Sequence, residues 1–141
     1  MIKNKIIVDS SKRINVSIFV GLNKKQNILA EYDKNILLSD SDLETPEEEI
    51  LEVKMRFRQP TYGDDLDIAN NTIHQKIDED GTSISIYAIK IRNYRFKQLL
   101  TDWDLTDEND EPLSITEENV NSLHPAFAAA ALEGLEKVLV D

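Results

Sequence analysis

Apolar residues alternate with polar ones in the first part of the chain and recur at helical spacing after Pro60. Ile14, Val16, Ile18 and Val20 lie two apart around Asn15, Ser17 and Phe19, which puts four branched residues on one face of a strand. Ile6-Ile7-Val8 predicts a shorter strand, and Asp9-Ser10-Ser11-Lys12 between the two resembles a hairpin turn. Gly21-Leu22-Asn23-Lys24-Lys25 is expected to stop the second strand. Ile28 to Leu38 has its apolar residues in pairs that fit neither period, and reads as short strand or loop. Ser39 to Glu49 is a polar stretch: an exposed linker, or a helix start with Thr45 as cap, Pro46 at the first position and glutamates behind it. The clearest strand follows, with Leu51, Val53, Met55 and Phe57 facing one way and Glu52, Lys54, Arg56 and Arg58 the other.

Beyond Pro60 the period becomes helical. Thr61 with Asp64 three residues on resembles a capping arrangement. Tyr62, Leu66, Ala69, Ile73 and Ile77 form one stripe, which predicts a helix over Thr61–Gln75 ended by Asp78-Glu79-Asp80-Gly81. A longer helix is expected over Ser83–Thr101, with Ile86, Ile89, Tyr94, Phe96, Leu99, Leu100 and Trp103 as candidate core. Ile84 and Ile86 would also suit a strand, but the length of the segment favours helix. Thr116 caps a third helix over Thr116–Leu123, with Glu117 and Glu118 in its first turn, and Pro125 opens a fourth that runs to Leu139. Strands first and helices after imply one α+β domain over residues 1–141, a small antiparallel N-terminal sheet in a strand-rich part (1–58) followed by a helical C-terminal half (60–141). Met55, Phe57, Leu66, Ala69, Ile73, Phe96, Leu99 and Trp103 are expected to close on one another as the core.

Composition places the chain among folded globular proteins, with 40% hydrophobic and 30% charged residues in 141. The absence of cysteine excludes disulfides, thiolate nucleophiles and Cys-based zinc sites. No apolar run approaches the ~20 residues of a membrane span, and the opening residues are too short an apolar stretch for a secretory signal. A cytoplasm, its own cell's or a host's, is the expected location. The formal net charge is -11, with 27 Asp and Glu against 16 Lys and Arg. Such a surface repels phosphate backbones, so nucleic-acid binding is not expected. It suits solubility, mimicry of nucleic acid in a basic groove, or the holding of a partly folded client.

Motifs for chemistry are missing. Asp102, Asp104 and Asp107 begin like a calcium loop. However, Thr106 stands at the third ligand, Asp107 where the sharp turn needs glycine, and Leu113 where the closing glutamate belongs. His74 and His124 lie far apart with no carboxylates at ligand spacing. No nucleophile elbow, phosphate loop or metalloprotease motif occurs, and Asp64-Asp65 reads as an exposed helix turn. No enzymatic activity, metal or cofactor is expected. Lys54, Arg56 and Arg58, and Lys90, Arg92, Arg95 and Lys97, either pair with neighbouring acids or form a positive stripe for an acidic partner or a second copy of the chain. Trp103, the only tryptophan, reads as core with its ring NH bonded to a carbonyl, or as a binding anchor. Phe127, Ala131, Leu135 and Val138 stripe the alanine-rich last helix, which docks on its own domain or offers a groove to a partner. Phe127, Ala131, Leu135 and Trp103 are therefore the candidate partner-binding residues.

The run from Asp102 to Glu118, W-D-L-T-D-E-x-x-x-P-L-x-x-T-x-E from Trp103 on, resembles the closing segment of tailed-bacteriophage tail assembly chaperones. Arg58-Gln59-Pro60-Thr61-Tyr62-Gly63-Asp64 is similar to that family's strand-to-helix step, and Pro125 also fits, so the resemblance covers roughly Pro60 to Val140. Asn109-Asp110 departs from it where a glycine is expected in the turn, and the first 45 residues have no counterpart. The resemblance implies a protein of the host cytoplasm that coats the apolar helices of a tape measure protein, recruits tail tube subunits and carries no active site. The family also includes frameshifted longer forms, which a protein sequence cannot show. A structural tail or baseplate subunit is the alternative, and an acidic inhibitor that mimics nucleic acid comes third.

Overall fold

The computed structural model describes residues 2–72 and 82–140. A short 3-10 turn (Ile2–Lys5) precedes β1 (Arg13–Leu22), β2 (Ile28–Glu31) and α1 (Lys34–Leu38). A second 3-10 turn (Glu47–Glu49) leads into β3 (Leu51–Arg58), followed by α2 (Tyr62–Thr72), α3 (Thr82–Leu99), β4 (Leu100–Trp103), α4 (Glu117–Asn121) and α5 (Pro125–Val140). The four strands make one antiparallel sheet in the order β2-β1-β3-β4, so the chain is α+β as its periods imply. Among the described residues no helix is long and apolar enough to cross a membrane.

Contacts divide the chain into two compact units, 14–57 with 101–141 and 1–13 with 58–100. The strand-rich part and the helical part are therefore not separated at Pro60, because residues 101–141 belong to the same unit as the strands before Arg58. In the sheet unit, Val16 and Ile18 of β1, Val53, Met55 and Phe57 of β3, Leu37 of α1, Trp103 of β4 and Phe127, Ala130, Ala131 and Leu135 of α5 are buried. Val138, expected on the same stripe of α5, is exposed instead. The helix packs on β2 and approaches β1 so closely that a Cβ built on Gly134 would lie 2.7 Å from Val16 Cγ1 and 3.0 Å from Tyr32 Cβ. Val16 is a buried, β-branched strand residue and has little room to yield. Gly134→Ala should thus lower stability by about 1–2 kcal/mol in a thermal melt, even though alanine is the better helix former by ~1 kcal/mol. An unchanged or raised Tm would contradict this packing.

In the other unit α2 packs against α3, and Ile68, Phe96, Leu99 and Leu100 are buried. Here the expected stripe is corrected. Tyr62 is exposed and Leu66 is 46% exposed, while Asp64 and Ile68, four residues apart, face inward. The face is chosen by the Arg58 guanidinium, which grips the Asp64 carboxylate, and not by the largest apolar residues. Truncating Leu66 therefore costs far less than a core residue would. Of the expected core, Met55, Phe57 and Trp103 are buried in the sheet unit and Phe96 and Leu99 in the helical one. Ala69 is half-buried.

Several boundaries differ from the sequence reading for local reasons. The turn at Asp9–Lys12 forms, with Asp9 Oδ1 accepting from the Ser11 amide at 2.9 Å, but Ile6–Val8 before it is not a strand. Three residues offer too short a ladder to hold a strand alone. Gly21 does not stop β1 but lies inside it opposite Leu29, where a Cβ would come within 2.8 Å of Leu43 Cδ1. The reversal comes five residues later at Gln26, with φ 64°, in a turn whose amides at Lys25 and Asn27 donate to Asn23 Oδ1. Asp33 caps α1 through the Asn35 amide, which resolves the ambiguous 28–38 stretch into a strand and a helical turn. Leu100 and Thr101 leave the helix for β4 because β3 offers them partners. Thr101 Oγ1 donates to the Arg56 carbonyl at 2.8 Å and the Asp104 amide to the Lys54 carbonyl at 3.0 Å. Ile73, His74, Ile77 and the helix end at Asp78–Gly81 lie outside the described residues, as do the side chains of Ile86 and Ile89.

Candidate partner-binding site

The run Asp102–Glu118 folds as a closed acidic loop. Trp103 is buried, and its Nε1–H donates to the Leu113 carbonyl at 2.7 Å, so the ring ties the loop's exit to its entry. Thr106 and Pro112 form an antiparallel bridge, and the Leu113 amide donates to the Leu105 carbonyl at 3.0 Å. At the tip, Asp107 Oδ1 accepts from the amides of Asn109 at 2.8 Å and Glu111 at 3.1 Å. Asp110 has φ 59°, the left-handed conformation that glycine adopts most easily. This is the point where a glycine was expected from the family resemblance; an Asp tolerates it through its short polar side chain. Thr116 Oγ1 accepts from the Asn119 amide at 3.1 Å to start α4, and His124 Nδ1 accepts from the Ala126 amide at 3.1 Å to start α5.

These turns carry Leu105 and Ser122-Leu123-His124 back over the sheet. With Phe127, Val20, Ile28, Leu51 and Val53 they line an open cavity of about 270 Å³, every residue of it in the sheet unit. Only Ser122 and His124 among the lining residues are polar. Leu51 stands at 59% exposure, an uncovered apolar residue in the wall.

Charge is distributed very unevenly around this feature. Residues 14–57 and 101–141 hold 20 Asp and Glu against six Lys and Arg, a formal charge of -14. The remaining residues hold 7 against 10, or +3, and the two values together give the net -11. Acid crowding is also felt locally. Burial raises the Glu31 carboxyl above its ordinary range, with repulsion from Glu133 and Asp40 adding to it. The arginines of β3 do not form a free positive stripe. Arg56 bridges Asp102 and Asp104, with Nη2 at 2.7 Å from Asp104 Oδ1, and Arg58 is bound to Asp64. Arg95 likewise holds Asp65 at 2.6 Å.

Of the four residues chosen from sequence, only Phe127 reaches the cavity wall. Trp103, Ala131 and Leu135 are buried away from it in the packing of the sheet unit. The remaining walls were not identified as a site from sequence. Val20, Leu51 and Val53 were legible as the apolar face of strands, whereas Ile28 joins them through the pairing of β2 with β1, and Leu105 and Leu123 through the loop's return. Asp64 also departs from expectation. It is buried, with its carboxyl lowered to about 2 by the Arg58 hydrogen bonds first and by the Thr61 amide. Among the described residues no group of three or more His, Asp or Glu is placed to hold a metal ion. No protein-family model matches the chain, and no curated protein or solved structure does either.

Proposed function

We propose that this protein is an assembly chaperone of a phage tail, which holds an apolar segment of a tape measure protein in the host cytoplasm until tail subunits take it over. The observation that carries the reading is the open apolar cavity, to whose lining the Trp103–Pro125 segment contributes Leu105, Ser122, Leu123 and His124, set in a unit of charge -14. An apolar wall supplies affinity for side chains of an amphipathic helix, and the surrounding negative charge keeps loaded complexes apart in solution. Two features of this site, the exposed Leu51 and the polar residues Ser122 and His124 in its lining, suit reversible capture better than permanent burial. Tail tube subunits are the second partner under this reading.

Co-expression tests it. The tape measure protein should remain in the soluble fraction with this chain and precipitate without it. Leu51→Asp should remove that rescue while circular dichroism and the melting curve stay those of the parent, because the residue is exposed and at the start of a strand. Recovery of the chain at fixed stoichiometry from purified particles would favour the alternative, a structural tail or baseplate subunit.

A further inference from the structure

We infer that the cavity also receives the Lys3–Arg13 segment of a second copy of this chain, so that copies associate head to tail. Ile6 and Ile7 are 72% and 80% exposed, the two most exposed aliphatic residues among the large apolar ones described, and they are adjacent in sequence. Lys3, Lys5, Lys12 and Arg13 flank them against the single acid Asp9, which gives the segment a formal charge of +3. The cavity has the complementary character. Its wall is apolar, Leu51 on it lacks a covering residue, and the unit around it carries -14. At about 270 Å³ it falls below the ~300–1,000 Å³ of pockets for small organic ligands and suits a pair of aliphatic side chains.

Isoleucines exposed to water and an apolar wall exposed to water are each unfavourable, and burying one against the other relieves both. The opposite charges steer the encounter and fix its direction. Because the two surfaces are different patches of the chain, the contact is heterologous, and it propagates as a ring or an open chain of copies. The inference depends on the cavity as a surface for protein, and not on the identity of any client.

Light scattering on the full-length protein at rising concentration tests it. The parent should grow in mass beyond a monomer, and raising ionic strength several-fold should weaken the association about ten-fold. The double variant Ile6→Asp/Ile7→Asp should remain monomeric, and so should Leu51→Asp, both with the parent's circular dichroism. Mixing the two variants should restore association, but only as far as a dimer, since each retains one intact half of the contact. Three results would overturn the proposal. One is a parent that stays monomeric at every concentration, which would include the segment folding back on its own chain. The second is variants that associate like the parent, and the third is a mixture that remains monomeric, as an isologous contact would give. Each readout is independent of tape measure solubility, so this inference and the chaperone reading can fail separately.

Discussion

Ala131→Asp should unfold the sheet unit, not merely block a binding face. Ala131 is fully buried on α5, where the helix packs on β2. Among the described residues no basic side chain is buried, so a carboxylate there gains no partner within the core. If it stays charged it bears the cost of an uncompensated ion in the interior. If it takes up a proton, it is still a polar group without hydrogen bonds in a space sized for a methyl. Either way the loss is on the order of 4 kcal/mol or more, against a total stability of ~5–15 kcal/mol for a domain. In a melting experiment that corresponds to a fall of roughly 8–16 °C for a chain of this size, or to loss of the cooperative transition. Phe127→Asp belongs to the same class, since the ring it removes is also buried. A melt within two degrees or so of the parent for either variant would mean that α5 is not docked. Until that is seen, loss of partner binding in these two variants says nothing about a binding surface, and Leu51→Asp is the informative substitution.

This difference shows what a sequence can and cannot reveal about the site. The stripe Phe127-Ala131-Leu135 was legible as an apolar face, because the 3.6-residue period depends only on the chain's own geometry. Whether that face meets its own sheet or a partner depends on where β2 lies, which is set by pairs such as Val20 with Ala30, some hundred residues away in sequence. The same distinction explains α2. Helical period was clear, and the Thr61–Asp64 cap was read correctly, with the Thr61 amide donating to Asp64 Oδ2 at 2.8 Å. The inward face does not follow from the apolar period, because the pair of Arg58 with the buried Asp64 outweighs the apolar residues Tyr62 and Leu66. Trp103 was legible as core with its ring NH on a nearby carbonyl, since an indole donor needs a partner and a turn supplies one. β4 was not legible. Leu100-Thr101-Asp102-Trp103 continues a good helical pattern, and only the open edge of β3 draws it into the sheet. The cavity follows from β4, because the return of the loop after it brings Leu105 and Leu123 over the strands.

Lowering the pH should remove the contribution of the Arg58–Asp64 pair, and Asp64→Asn should remove it at neutral pH. The Asp64 side chain is only 7% exposed, and both its oxygens accept from the Arg58 guanidinium, one of them at 2.6 Å. Those bonds, reinforced by the Thr61 amide, hold its carboxyl at about 2 against an ordinary 3.8. A carboxyl whose pKa is depressed by folding stabilises the fold at every pH above its unfolded value. The contribution fades as pH falls from about 4 towards 2. The depression corresponds to about 2 kcal/mol. At pH 7 Asp64→Asn should cost about 3 kcal/mol, because it also leaves Arg58, about two-thirds buried, facing an amide that donates where a carboxylate accepted. The difference in unfolding free energy between parent and variant should shrink steadily between pH 4 and pH 2. A difference that stays constant across that interval would show that Asp64 acts through its shape and not its charge. The pair formed by Arg56 with Asp102 and Asp104 is a useful internal contrast. Its carboxylates are nearly half exposed, so breaking it should cost far less than breaking the Arg58 pair. Similar losses for Asp64→Asn and Asp104→Asn would mean that burial is not what makes the Arg58 pair strong.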